Sequence, residues 1–276
     1  MVEDQRADAT PGGPVQEFFN LHIQAKGLKG ISMSRGSSEE PNGPLAISNC
    51  SVEKHPSRSD VLRWLVRAYN PAGFSMSRCT VRGQFYRDEA GKGHPSLEEH
   101  PAYVSTPGST IVANCLFDTV GGQALQFAQR SNPYQGYDRG DNAPIRARED
   151  HVVRSVGMVD CGMGPRGSAG ITYFDPGTPR FPSTILLEDV DFVGDFEGWR
   201  SADGTWDDEN DEPGDRDSEA ALTISSYQLA DEVAMFGVQG PCVDELTIRR
   251  NVWVRNVSRK AMAEIRTVRR VVIEDS

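Results

Sequence analysis

With 276 residues, 37% of them hydrophobic, and with 27 Gly and 17 Pro, the chain is poor in apolar side chains and rich in turn formers. That suits many short strands and excludes a large helical bundle. A net charge of −11 repels phosphate backbones and sets nucleic acid aside as a main partner. No stretch approaches the ~18 consecutive apolar residues of a membrane span, and the polar first ten residues lack the apolar centre of a secretory signal.

In chain order, residues 1–15 read as a flexible tail punctuated by Pro11, Gly12, Gly13 and Pro14, and one domain is expected over 16–276. That domain repeats. A weak copy at Ile23–Leu28 is followed by Leu45–Val52, Phe74–Val81, Thr110–Phe117, Val156–Met163, Ile185–Phe192 and Leu246–Trp253, with a fragment at Ile273–Ser276. Each full copy carries an apolar residue, then Cys, Val or Asn three positions on, then a second apolar residue two positions beyond. Ile47, Cys50 and Val52 are the type example. Side chains alternate along a strand, so these three share an inward face only if the chain bends between the first and second. The residue two after the first apolar one is Asn49, Arg78, Asn114, Asp160, Asp189, Arg250 or Asp275. Asn and Asp tolerate left-handed backbone and suit such a bend.

Cys50, Cys79, Cys115 and Cys161 fall at one repeat position, which reads as a stacked column of buried thiols rather than metal ligands or a disulfide pair. A second strand follows each copy: Gly30–Met33, Trp64–Val66, Ala124–Phe127, Gly170–Tyr173, Ala221–Ile224 and Met262–Ile265. The spacing between copies is uneven, so insertions are expected at 83–101, 129–151 and 194–220.

Taken together, the repeat resembles the right-handed parallel β-helix, pectate-lyase-like superfamily, over roughly residues 16–276. The resemblance implies an all-β, single-stranded parallel β-helix of about eight coils with inserted loops. The superfamily contains polysaccharide lyases and hydrolases as well as phage tailspikes and other virion surface proteins. No catalytic signature of the superfamily is present, so no residue role can be carried over.

The insertions hold the candidate site residues. In 129–151, Gln129, Arg130, Tyr134, Tyr137 and Arg139 combine rings that stack on sugars with groups that bond hydroxyls. Trp199 and Trp206 could add a platform or anchor the loop, and Asp207, Asp208 and Asp211 could offer hard oxygen ligands to Ca²⁺, although the first reading of that stretch is an acidic solvated loop and no cofactor is expected. Catalysis would fall to Asp138, Asp141, His151 or Asp175. A glycosidase needs two carboxyls within ~10 Å, but the outward positions of the copies form no acidic stripe. Those positions read Ser48, Ser77, Ala113, Val159, Glu188 and Arg249 on the first strands, and Ser32, Leu65, Val104, Gln126, Thr172, Thr223 and Glu264 on the second. The expectation is therefore a non-catalytic protein of a virion tail or capsid surface that contacts host carbohydrate. The alternative is an extracellular polysaccharide lyase or hydrolase. A homo-oligomer is also expected, because the last copy has no capping segment and a symmetry mate or another virion protein would cover it.

Overall fold

The computed structural model describes residues 2–3, 5–6, 13–25, 29–33, 42–54, 64–69, 71–83, 85–87, 93–95, 100–106, 108–120, 124–128, 149–161, 171–175, 183–193, 220–226, 243–255, 261–265 and 268–274. All regular structure among them is β, and apart from one small hairpin every pairing is parallel. The chain runs back and forth between two sheets, so that each passage adds one rung to both.

The first sheet has a main path of β1 (Val2–Glu3), β4 (His22–Ala25), β7 (Ser51–Lys54), β10 (Thr80–Arg82), β14 (Thr110–Val120), β16 (Glu149–Cys161), β18 (Ser183–Val193), β20 (Val243–Arg249) and β23 (Val268–Glu274). Beside it lie β3 (Gln16–Phe19), β6 (Leu45–Ser48) and β9 (Phe74–Ser77), which run into the leading half of β14, and β21 (Trp253–Arg255), which pairs with β18. The second sheet stacks β2 (Gln5–Arg6), β5 (Lys29–Met33), β8 (Trp64–Tyr69), β13 (His100–Ser105), β15 (Leu125–Ala128), β17 (Ile171–Asp175), β19 (Ala220–Ser226) and β22 (Ala261–Ile265). The hairpin of β11 (Phe85–Arg87) and β12 (Gly93–Pro95) lies in the 83–101 insertion. Val2–Glu3 and Gln5–Arg6 pair with β4 and β5, so part of the segment read as a tail carries strand pairing.

The bend expected between the two halves of each copy is present. Asn20, Asn49, Arg78, Asn114, Ser155, Asp189 and Arg250 all have φ between 53° and 57°. This is the left-handed region that, among residues other than glycine, Asn and Asp reach at least cost. Successive bends stack: Asn49 N–H donates to Ser77 O at 2.9 Å and Arg78 N–H to Ala113 O at 3.0 Å. The Asn49 side-chain amide also donates to the Asn20 side-chain oxygen.

Three copies are displaced from their sequence alignment. The weak first one runs earlier than Ile23–Leu28, with Phe18 beside Ile47, the bend at Asn20 and Ile23 beside Val52. In the fourth, the bend is Ser155 rather than Asp160, and His151–Met158 takes the place read for Val156–Met163. Asp160 followed by Cys161 imitates the signature, but the apolar pattern that fits the core starts five residues earlier, and burial decides the register. In the sixth, Asn251 is an extra residue after the bend. Asp191 pairs with Trp253, which puts Val252 rather than Asn251 beside Val190.

One continuous core runs from Phe18 to Leu246. Register arranges it in columns. Phe18, Ile47, Met76, Val112, Val153 and Leu187 form one. After the bend, Leu21, Cys50, Cys79, Cys115, Val156, Val190 and Val252 form the next. The second sheet contributes Met33, Ala68, Val104 and Phe127.

Candidate functional site

Which way each side chain points follows from these columns. On the second sheet, Ile31, Val66, Ala102 and Leu125 are in register and buried, as are Met33, Ala68, Val104 and Phe127. Alternation sends the residues between them to the outer face. That outer column reads Ser32, Arg67, Tyr103 and Gln126. Arg67 and Tyr103 occupy the places that the sequence reading gave to Leu65 and Val104. The adjacent apolar pair Leu65-Val66, both fully buried, masks the period at the start of β8.

This column is far from bland. The Arg67 guanidinium carbon lies 4.4 Å from the centroid of the Trp64 ring, a cation–π contact. Trp64 and Tyr103 meet edge to face with centroids 6.3 Å apart. Ser32, Tyr103 and Gln126 are only 7%, 9% and 8% exposed, although they face away from the core. Among the described residues, neither Ser32 Oγ nor Gln126 Oε1 has a hydrogen-bond partner. Leaving such a group dry and unpaired costs about 1–3 kcal/mol, so two in one column call for a reason. An aromatic pair, a guanidinium and two unsatisfied oxygens on successive rungs about 4.8 Å apart are groups of the kind that hold a polyhydroxylated ligand, but at 7–9% exposure Ser32, Tyr103 and Gln126 are closed to a ligand as they stand.

The outer face of the first sheet carries charge. Its column Arg154, Glu188, Arg249, Glu274 alternates in sign. Glu188 is fully buried and accepts from Arg154 Nε at 2.6 Å, with Arg249 Nε at 3.4 Å and Arg250 also in contact. Arg82 bonds Asp118 at 2.9 Å, Gln24 bonds Glu53 at 2.8 Å, and Arg255 bonds Asp191, each pair joining neighbouring rungs. The sequence alignment put Val159 where Arg154 stands, which hid the alternation.

Of the sequence-derived candidates, Cys50, Cys79 and Cys115 do stack, at 2–5% exposure. Their thiols donate to Ser48, Ser77 and Ala113 O at 3.2–3.3 Å. Burial pushes the Cys50 thiol up, and Cys115, bonded to Cys79 and buried, is pushed far above the usual thiol range. Cys79 moves the other way, to about 7, because the hydrogen bond with Cys115 favours its charged form, but at 2% exposure its sulfur is closed to solvent like the others. Cys161 lies beside Val120, outside that column, where Val156 takes its place.

His151 is an inward residue, 3% exposed, between Thr110 and Ile185 and 4.9 Å from the Phe127 ring. Burial lowers its pKa to about 4, so at neutral pH it is an uncharged part of the core. Asp175 ends β17 opposite Ser226. Asp138, Asp141, Gln129, Arg130, Tyr134, Tyr137, Arg139, Trp199, Trp206, Asp207, Asp208 and Asp211 lie outside the described residues. Among the described residues no cluster of three metal-binding side chains occurs, and no helix is long and apolar enough to cross a membrane. No protein-family model matches the sequence, and neither a curated protein nor a solved structure matches the chain.

Proposed function

We propose that the chain is a right-handed parallel β-helix of about eight coils on a virion surface, tail or capsid, where it binds host-surface glycan without cleaving it. The observation that carries the binding role is the outer column of the second sheet. Ser32, Arg67, Tyr103 and Gln126 stand on four successive rungs with Trp64 alongside. Two buried oxygens there lack partners among the described residues. The spacing of the rungs is close to that of consecutive sugar units, so one oligosaccharide would lie along the column once it is uncovered, since Ser32, Tyr103 and Gln126 are buried in the free chain. A carboxylate pair suited to hydrolysis is missing from its described strands, whose acids are Asp175 and Glu264 on separate rungs.

Glycan-array screening followed by titration calorimetry tests this. Wild-type chain should bind at least one oligosaccharide. Tyr103→Ala and Gln126→Leu should each weaken it about tenfold, the equivalent of ~1.4 kcal/mol. Binding that both variants leave unchanged would remove the column from the function. Release of reducing ends or unsaturated products would replace the binding role with the lyase or hydrolase reading. Co-sedimentation of the chain with virus particles tests the location separately.

A further inference from the structure

The last rung of the first sheet is unlike the others. Its inward positions are Val271, in the column of Ile185 and Leu246, and Ile273, in the column of Leu187 and Ile248. Ile185, Leu187 and Leu246 are 0–1% exposed, whereas Val271 is 44% and Ile273 64% exposed. Glu274 O accepts from Arg250 N–H at 3.1 Å. In a parallel ladder alternate residues bond opposite neighbours, so the main-chain groups of Val271 and Ile273 point to the outer edge of β23. Among the described residues no strand pairs there.

We propose that β23 pairs antiparallel with β23 of a second copy of this chain, about a two-fold axis at Val272. The strand's own sequence selects both the partner and the register. An antiparallel pair centred on Val272 sets Val271 against the partner's Ile273, and Ile273 against the partner's Val271. The two exposed inward residues then cover each other, and their edge-facing main-chain groups exchange hydrogen bonds. On the outer face the same register sets Arg270 against the partner's Glu274, twice by symmetry. Arg270 is 70% exposed on its side chain and reaches Glu245 at 3.4 Å, leaving donors for a second carboxylate. Shifting the centre to Val271 would lose both matches, because Arg269 would oppose Ile273 and Val268 would oppose Glu274. A contact in which one patch meets itself is the isologous arrangement of a closed dimer, and it removes the aggregation hazard of an open edge strand.

Light scattering on the whole chain should give twice the monomer mass at micromolar concentration. Arg270→Glu or Glu274→Arg should each raise the dimer dissociation constant about tenfold, with circular dichroism unchanged, and the two together should restore it. Val272 sits in a non-hydrogen-bonded pair at the axis, where Cα atoms are about 4.5 Å apart and a disulfide fits. Val272→Cys should therefore cross-link to a dimer under mild oxidant faster than Val271→Cys. A monomer at tens of micromolar overturns the proposal. So does a dimer that both charge reversals leave intact, or one that Val272→Cys fails to lock.

Discussion

His151 shows how strongly one residue can tie this fold to pH. Its imidazole has an ordinary pKa of 6.5 and about 4 when folded, because burial disfavours the charged form. The unfolded chain therefore binds this proton more readily. The stability from keeping the ring neutral is complete above pH 6.5 and is lost as pH falls towards 4, to a total of roughly 3 kcal/mol. Urea unfolding at pH 7.5 and 5 should show about 2 kcal/mol of that loss, and His151→Leu should flatten the difference. Asp150 beside it accepts a hydrogen bond from Thr184 on the outer side, and its charge opposes the effect of burial without overcoming it. Ser155 is a second point of tension, with φ of 53° and a side chain less suited to that region than the Asn at Asn114 on the preceding rung. Ser155→Asn should stabilise by about 0.5–1 kcal/mol, and Asn114→Ala should destabilise by a similar amount, both read as shifts in the urea midpoint.

At the scale of the strand, the charge ladder on the first sheet does for register what the columns do inside. A slip of one residue would turn the core outward, and it would also set Arg154 and Arg249 away from Glu188. Glu188→Ala should leave three guanidiniums facing one another and cost about 3 kcal/mol, the lower end for breaking a buried pair because the arginines reach water. For a chain of this size that is a fall of roughly 6–12 °C in Tm. How much of this was legible depended on whether one local signal stood alone. Asn49, Asn114 and Asp189 announced their bends because their type and the flanking aliphatics agreed. Ser155 carried no such mark, and Asp160 with Cys161 offered a false one. Likewise Leu65-Val66 gave two buried residues in a row, so the outward places of Arg67 and Tyr103 appeared only once hydrogen-bonded partners fixed the phase.

At the scale of the whole molecule, parallel stacking makes neighbours of residues about one coil apart, such as Ser32 and Arg67 or Tyr103 and Gln126. The all-β, parallel character was legible because the inward pattern recurs many times. The outer column of the second sheet was not, because its members share no motif and sit at uneven distances along the chain. Contacts of this separation form only after long stretches of chain have been closed, so folding should be slow, on the order of seconds. Stopped-flow fluorescence of the tryptophans would measure it, and a submillisecond phase accounting for the full amplitude would contradict it.

The segments joining the two sheets differ greatly in length, from residues 266–267 between β22 and β23 to residues 194–219 between β18 and β19, yet the pairing of successive rungs continues in step across all of them. The stack thus behaves like a spine on which the connecting segments are interchangeable attachments. Selection can rewrite or transplant such an attachment while the central pile keeps its instructions, so new surfaces can be tried without inventing a new interior.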